Sequence, residues 1–420
     1  MGLLQTSVFR RTFEQAPAGG SERWVVVVLV LLAASVRLGY AYHGRHVALY
    51  GDMIHYDAAA LRLLDRHVFS FWGGAPDAYV TPGYPLFLAG CYQLARWFHG
   101  STAAMRTWAV MVQAVLSALT TGWIYAMARA AMRRRFAVLA ALLWVIYPPS
   151  WWASTQLLTE PLYTFLLYAF AWAFLRAVQR GTPAAWAGAG VALGLTGLVR
   201  PTVFPLVAAA WVYLAVVHGP SRRIRQAVAG GLWHTAGFVL PLWPWWVRNA
   251  RVLHRLVLSD TEIGNPLLYG TDPNYQHDPD LGRGLTSDQQ KHLALQRIKD
   301  QFTHHPWQAL RWYTVGKLHD LFTKPWFPPH PSRLWLINAL NALHLVWVFL
   351  GCAGLCLGCW RQRAVRWFAV LAAFFVVVQL PFIPVNRYVY PLMPLFFMGT
   401  AYLVQTGRDW ILARKGGRTL

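Results

Sequence analysis

Long apolar stretches, separated by short polar segments, run through almost the whole sequence and restrict the chain to a narrow range of folds. A membrane helix needs about 20 mostly apolar residues, and stretches near that length recur from residue 24 to residue 405. Only 13% of the 420 residues are charged, whereas an ordinary soluble domain has about 25%. We therefore predict an all-α polytopic membrane protein.

Ten stretches are predicted to be transmembrane helices. They are 24–42, 103–132, 136–147, 157–176, 184–199, 202–218, 226–246, 334–360, 367–383 and 389–405. Another apolar stretch, 83–98, is short and is interrupted by Gln93 and Arg96. This stretch is predicted to lie along the interface as an amphipathic helix instead of crossing.

The basic residues favour this count and set the orientation of the helices. Lys and Arg number 38 against 16 Asp and Glu, and a net charge of +22 raises the question of nucleic acid or anionic lipid. The clusters at 133–135, 222–225 and 361–363 lie between apolar stretches, as in cytoplasmic loops. All three clusters are cytoplasmic only if the stretch 83–98 does not cross the membrane. The positive-inside rule thus favours about ten spans, with membrane lipids and no nucleic acid as partners.

This topology divides the chain into tails, membrane segments and outer loops. The segments are a cytoplasmic tail at 1–23, an N-terminal transmembrane module at 24–246 with an outer loop at 43–101, a large outer loop at 247–333, C-terminal transmembrane helices at 334–406 and a cytoplasmic tail at 407–420. The first span lacks a cleavage site and is predicted to be retained. Both outer loops are long enough to hold a site that faces the periplasmic or extracellular side of a cell (inner) membrane.

Two outward-facing carboxylates are candidates for acid–base chemistry. Asp52 opens a helix in the first outer loop, where a partly desolvated carboxylate can act as a general base toward a hydroxyl or an amine. Glu160 lies at the outer end of a predicted span, and an ionisable group at membrane depth is a functional hypothesis. Helix capping is the alternative for both residues, and it is the more ordinary explanation for Asp57.

Three single arginines occur at outer helix ends, where the positive-inside rule does not explain them. They are Arg200, Arg248 and Arg387. The guanidinium group offers several donors and keeps its charge, which suits phosphate. Beside outward-facing carboxylates, these residues predict a site that binds a lipid phosphate and deprotonates a neighbouring group. The alternative for each arginine is anchoring at the membrane interface.

Two further groups could bind a metal ion, although neither has a recognised ligand spacing. They are His277, His292, His304 and His305 with Asp278 and Asp280 in the large outer loop, and Cys352, Cys356 and Cys359 in one apolar stretch. These cysteines and Cys91 are expected to be small apolar core residues. No cofactor and no metal site are predicted, with a divalent metal as the alternative.

Six short motifs, taken in their order and spacing, resemble the GT-C membrane glycosyltransferases. The most similar branch is the bacterial part of glycosyltransferase family 39, which includes protein O-mannosyltransferases and lipid A aminoarabinose transferases. The motifs are Gly51-Asp52 with Tyr56, Pro82-Gly83-Tyr84-Pro85-Leu86, Leu158-Thr159-Glu160-Pro161-Leu162, Leu198-Val199-Arg200-Pro201, Trp243-Pro244-Trp245-Trp246-Val247-Arg248-Asn249 and Asn386-Arg387-Tyr388. The resemblance covers about residues 24 to 406.

The resemblance implies a GT-C-like bundle of about ten transmembrane helices, with juxtamembrane helices in the first outer loop. It implies an enzyme that takes a hexosyl or pentosyl group from polyprenyl phosphate at the outer face. Asp52 and Glu160 would then be the catalytic acids of the first and second outer loops, and Arg200 would lie near the lipid phosphate. Arg248 and Arg387 are predicted to bind the same phosphate. Predicted substrate-positioning residues are Tyr56, Asp57, Tyr84, Asn249 and Tyr388.

The predicted function is therefore an inverting glycosyltransferase that acts on a lipid, glycan or protein acceptor. Met53 stands where the family often has a second acid beside its catalytic Asp, and the acceptor stays open. A lipid-linked sugar transporter and a surface polysaccharide polymerase or ligase are the alternatives. Transporters commonly show repeated halves, and no such repeat is evident in the sequence.

Overall fold

The computed structural model describes residues 20–44, 49–98, 100–218, 224–273, 278, 280–328 and 334–415. These residues are mostly helical and none of them lies in a β-strand, so the all-α prediction is confirmed. Predicted features outside the described residues are most of the N-terminal tail, Arg222, Arg223, His277 and the end of the C-terminal tail.

The chain divides into two compact units, Met1–Leu258 and Ser259–Leu420. Helices of the first unit are α1 Gly20–His43, α2 Asp52–Arg66, α3 Gly83–Trp97, α4 Thr102–Arg129, α5 Arg134–Val145, α6 Pro148–Thr155, α7 Glu160–Arg180, α8 Pro183–Val199, α9 Leu206–His218 and α10 Ile224–Val252. Helices of the second unit are α11 Gly264–Tyr269, α12 Ser287–His304, α13 Pro306–Arg311, α14 Lys317–Phe322, α15 Leu334–Arg361, α16 Arg363–Gln379 and α17 Met393–Lys415.

Each predicted span falls on a helix, but fewer than ten helices meet the length and hydropathy expected of a membrane span. Among the described residues, α1, α4, α7 and α15 meet it, and α5 with α6 forms a fifth if this pair, bent by 50°, is one span. Helix α8 is apolar but has 17 residues, about 25 Å at 1.5 Å per residue. The helices support a multi-pass membrane protein, while the number of about ten spans is not confirmed.

The short apolar stretch at 83–98 forms α3, which has 15 residues. At 1.5 Å per residue it is about 22 Å long, shorter than a hydrocarbon core of about 30 Å. Its buried residues Tyr84, Leu88, Tyr92 and Ala95 recur every three or four positions, so one face packs on the protein. This length and one-sided burial agree with a helix that lies along the interface.

Close backbone packing fixes the end of α8. A Cβ atom at Gly190 would collide with the carbonyl of His234, and one at Gly194 with the carbonyl of Phe238, both on α10. Glycine permits this approach because it has no side chain, as is common where membrane helices cross. The tight α8–α10 contact holds the residue that follows α8, Arg200, in place.

Candidate active site

Asp52 is the first residue of α2. Gly51 precedes it with φ of 53°, a conformation that glycine adopts readily. The Asp52 side chain is half-buried, and a carboxylate at this helix end interacts favourably with the helix dipole. Two residues earlier, the Tyr50 hydroxyl donates to Oε1 of Gln156 at 2.9 Å. This contact ties the start of α2 to the segment that leads into α7.

Glu160 and Arg200 form a buried ion pair. Nη2 of Arg200 donates to Oε1 of Glu160 at 2.5 Å, and Nε donates to Oγ1 of Thr159 at 2.7 Å. The guanidinium carbon lies 5.6 Å from the ring centre of Tyr163. Glu160 is fully buried, whereas the Arg200 side chain keeps 18% exposure. The buried carboxylate therefore holds one orientation of a guanidinium that still reaches the surface.

Helix α3 connects the Asp52 helix with this ion pair. The Tyr56 and Tyr84 rings meet edge to face at 5.0 Å. Gly83, at the start of α3, lies so close to α8 that an added Cβ would be 2.5 Å from the Leu198 carbonyl oxygen. Burial raises the pKa of the Tyr84 hydroxyl, and the charges of nearby groups, including Glu160, raise it further. Asp52, α3 and the ion pair thus lie at the same end of the first unit.

Two glutamines that the sequence analysis missed stabilise this end. Gln113 is fully buried on α4, accepts from the Tyr84 hydroxyl at 2.6 Å and donates to the Gln156 carbonyl at 2.9 Å. Gln156 is the residue that accepts from Tyr50. A glutamine within an apolar helix was the available signal, because a polar group at membrane depth needs a partner.

The structure places Asp57 in the interior instead of at an open surface. Its side chain accepts from Nε and Nη2 of Arg106 at 2.9 and 2.7 Å and from the Tyr92 hydroxyl at 2.7 Å. These contacts join α2, α3 and α4. In this arrangement Asp57 stabilises the helices around the site.

Arg248 and Asn249 fix the first outer loop. Arg248 donates to the backbone carbonyls of Asp77 at 2.7 Å and Phe69 at 3.0 Å. Asn249 is fully buried, accepts from Arg248 at 2.9 Å and donates to the Val257 carbonyl at 3.0 Å. The structure brings both residues to the loop that follows α2.

Arg387 and Tyr388 lie in the second unit, in a short 3-10 helix at Asn386–Tyr388. The Arg387 guanidinium carbon is 5.4 Å from the Tyr388 ring centre. Asn386 donates to the Pro325 carbonyl at 3.3 Å, which connects this turn to the end of the large outer loop. The phosphate-binding role of Arg387 stays a prediction.

Across the described part of the chain, no three His, Cys, Asp or Glu side chains form a group that could hold a metal ion. In the large outer loop, Asp280 pairs with exposed Arg283 at 3.0 Å. The core prediction holds for Cys91, but it is wrong for Cys352 and Cys356, which are exposed. An apolar residue on a membrane helix can face lipid as readily as the protein interior, so apolar sequence does not predict burial there.

Comparisons with known proteins agree with this architecture. Residues 81–246 match the family model described as dolichyl-phosphate-mannose-protein mannosyltransferase. No curated protein matches the sequence significantly.

Solved structures of membrane glycosyltransferases share the fold. The oligosaccharyltransferase of Archaeoglobus fulgidus, in complex with Zn and sulfate, matches with a TM-score of 0.60 at 15% identity over 92% of this chain and 49% of that one. The archaeal oligosaccharyltransferase AglB from Archaeoglobus fulgidus, in complex with an inhibitory peptide and a dolichol-phosphate, matches with a TM-score of 0.56 at 14% identity over 94% of this chain and 51% of that one. ArnT from Cupriavidus metallidurans, bound to undecaprenyl phosphate, matches with a TM-score of 0.51 at 12% identity over 95% and 63%.

The chain spans about half the length of the archaeal structures. At sequence identities of 12% to 15%, the similarity shows a shared fold and nothing more. It extends over more than nine-tenths of this chain. The chain therefore has the GT-C fold of these membrane glycosyltransferases, and the resemblance indicated by its motifs is confirmed.

Proposed function

We propose that the chain is a membrane glycosyltransferase that moves a sugar from a polyprenyl-phosphate donor to an acceptor, with inversion. The observation that carries the proposal is the Glu160–Arg200 pair, in which a buried carboxylate orients a partly exposed guanidinium. Such a group suits a phosphate that gains charge as it leaves. Further support comes from two structural relatives whose bound molecules are a dolichol-phosphate and an undecaprenyl phosphate.

Asp52 is the proposed general base. It takes the proton from the acceptor hydroxyl or amine as that atom bonds to the anomeric carbon of the sugar. The bond from the anomeric carbon to the phosphate oxygen breaks, and the polyprenyl phosphate leaves with its charge toward Arg200. Glu160 acts through Arg200 as a positioning residue, because its carboxylate is fully buried against that guanidinium.

The proposed location is a cell inner membrane, with the site on the periplasmic or extracellular side. The positive-inside rule supports this orientation, since the basic clusters are then cytoplasmic. Arg248 and Asn249 support the site by holding the first outer loop. The acceptor class, whether lipid, glycan or protein, is left to experiment.

Transfer of radiolabelled sugar tests the proposal. Purified protein in lipid vesicles is given a panel of polyprenyl-phosphate sugars, with and without chelator, beside Asp52→Asn. General base catalysis contributes about 10² to 10⁴ in rate, so the variant should lose at least about two decades. Asp65→Asn is the matched control, because Asp65 lies on the same helix but pairs with Arg96 at its surface. An Asp52→Asn rate above about a tenth of wild type would exclude the base role.

The same experiment separates the alternatives. Protein-dependent movement of lipid-linked sugar across the bilayer, without transfer, would indicate a transporter. Long glycan products would indicate a polymerase or ligase. Loss of transfer with chelator would indicate a divalent metal requirement.

A further inference from the structure

Trp72 in the first outer loop is exposed and packs against a ring cluster formed by His55, Phe71 and Tyr79. Trp72 is 56% exposed, whereas Phe71 beside it is 3% exposed. The His55 ring on α2 lies 4.3 Å from the Trp72 ring, and the Tyr79 ring lies 5.1 Å from it. Phe71 stacks on Tyr79 at 5.4 Å beneath them. Trp72 therefore packs on these three rings while more than half of its surface stays exposed.

The backbone that carries Trp72 is fixed by several hydrogen bonds. Oδ2 of Asp77 accepts from the Phe71 N–H at 2.8 Å and from the Ser70 hydroxyl at 3.0 Å. Nη2 of Arg62 donates to the Phe71 carbonyl at 2.9 Å. The orientation of Trp72 is therefore set before any ligand binds, which lowers the entropy cost of binding.

Helix α2 connects this ring to the proposed base. Asp52 and His55 are three residues apart on α2, so their side chains share one face of the helix. His55 touches Trp72, and its ring nitrogens make no hydrogen bond to any residue in the described part of the chain. A half-buried imidazole of this kind can bond a sugar hydroxyl while the neighbouring indole packs on the ring.

We propose that Trp72 and His55 form a platform that binds the sugar ring of the donor beside Asp52. The apolar C–H face of the sugar packs on the indole, and His55 bonds a hydroxyl at the sugar edge. Binding sites of this kind combine aromatic surface with a few placed polar groups. The inference rests on the proposed function, because that reaction requires the donor sugar to lie within reach of Asp52.

An interfacial anchor is the competing explanation for an exposed tryptophan. Trp97 fits that explanation, since it is 67% exposed at the end of α3. Trp72 differs because its ring lies against a histidine and the backbone of its neighbour Phe71 is held by Asp77 and Arg62. An anchor needs none of these features.

Equilibrium binding to the full chain in lipid nanodiscs distinguishes the two. The probes are undecaprenyl phosphate and its mannosyl and glucosyl esters, measured on wild type, Trp72→Ala, Trp72→Phe and Trp97→Ala. We expect Trp72→Ala to bind the preferred sugar ester about tenfold more weakly, which corresponds to about 1.4 kcal/mol. Its affinity for undecaprenyl phosphate should be unchanged, Trp72→Phe should retain most of the sugar-dependent affinity, and Trp97→Ala should match wild type.

Several outcomes would overturn the platform. Equal losses for the bare phosphate and the sugar esters would make Trp72 a membrane anchor, and no loss would leave it without a binding role. A change confined to acceptor KM in the transfer assay would assign the ring to the acceptor. Failure of wild type to bind any of these lipids would overturn the proposed function as well, whereas the other outcomes overturn only the platform.

Discussion

Asp52 and Asp57 lie five positions apart on one helix, but their carboxylates have different surroundings. Asp57 is 4% exposed and accepts three hydrogen bonds from Arg106 and Tyr92, whereas Asp52 lies at the half-buried helix start. A carboxylate with these contacts contributes to folding, while a half-buried carboxylate at a helix start is suited to proton transfer. The two residues should therefore separate stability from activity.

Asp57→Asn should destabilise the protein with little effect on transfer per folded molecule. The variant removes the charge that pairs with Arg106, and we expect the free energy of unfolding to fall by about 2 kcal/mol. This is less than for a fully buried ion pair, because Arg106 is partly exposed. Thermal unfolding in detergent measures the loss, with Asp65→Asn as the control on the same helix that should unfold nearly like wild type, because its pair with Arg96 lies at the surface. A stable Asp57→Asn protein without transfer would instead place Asp57 in the chemistry.

Glu160 and Arg200 should act as one unit in kinetics. Arg200→Lys loses the planar fork that grips phosphate, and we expect turnover to fall by about 10² to 10³. Glu160→Gln alone should reduce turnover less. In the Arg200→Lys background, Glu160→Gln should add little, because a residue that acts through its partner is coupled to it. A further hundredfold loss in the double variant would give Glu160 a catalytic role of its own.

At the scale of elements, the position of α3 against α8 determines where Arg200 points. A Cβ at Gly83 would lie 2.5 Å from the Leu198 carbonyl oxygen and 2.9 Å from the Val199 nitrogen. Both contacts are with backbone, so relief requires a shift of one helix. Arg200 follows Val199 directly and would move with it.

Gly83→Ala should therefore lower transfer by about 10- to 100-fold, since a misplacement of about 1 Å can cost about 10² in rate. Gly90→Ala is the matched control on the same helix, because nothing lies within 4 Å of its added Cβ. Both rates are measured at equal folded protein. Equal activity of the two variants would show that the α3–α8 contact does not position the site.

The bend between α5 and α6 also depends on an interior contact. Arg37 on α1 is fully buried and donates from Nη2 to the Trp144 carbonyl at 3.0 Å and to the Ser150 hydroxyl at 2.8 Å. It thereby satisfies a carbonyl near the end of α5 that the helix itself leaves without a partner. The Pro148-Pro149 pair predicts a break, but the residue that stabilises it comes from a helix more than a hundred positions away.

At the scale of the whole molecule, topology can be tested directly. The native cysteines are first replaced, and single cysteines are then introduced as Arg135→Cys and Ser287→Cys. A membrane-impermeant maleimide applied from outside should label position 287 in intact cells and position 135 only after lysis. Labelling of position 135 in intact cells, with position 287 labelled only after lysis, would mean that α3 crosses the membrane and that the predicted orientation is wrong.

The second unit should become more stable as the pH rises above neutrality. Lys317 is fully buried and donates to the carbonyls of Leu380 at 2.6 Å and Phe382 at 2.9 Å. Burial lowers its pKa from 10.5 to about 7. Between those values the unfolded chain holds the proton more often than the folded one, so stability rises with pH, by at most about 1.4 kcal/mol per pH unit.

Unfolding measured between pH 7 and pH 9 checks this slope, with Lys317→Met as the control that lacks the titrating group. As the pH rises, the free energy of unfolding of wild type should increase relative to that of Lys317→Met. A difference that stays constant over this range would show that Lys317 keeps its proton in the folded state.

The positions of the apolar helices and of the motifs follow from the amino-acid sequence alone. Apolar length and the spacing of basic residues predict the apolar helices, because the bilayer imposes these requirements on each segment separately. The same reasoning predicted that 83–98 is a short interfacial helix, and α3 has the length to match. The candidate acids and arginines could also be identified, since charge is rare at membrane depth.

The pairing of these charged groups, in contrast, depends on how the helices pack. Glu160 pairs with Arg200, which is 40 residues away, and Asp57 with Arg106, which is 49 residues away. Arg248 binds carbonyls more than 170 residues earlier in the chain. Such partners depend on how helices cross, and the crossing is fixed by close backbone contacts such as those of Gly83 and Gly190. Residue spacing along the chain does not predict these contacts. The charged residues could therefore be identified from the sequence, but their partners follow from the packing of the helices.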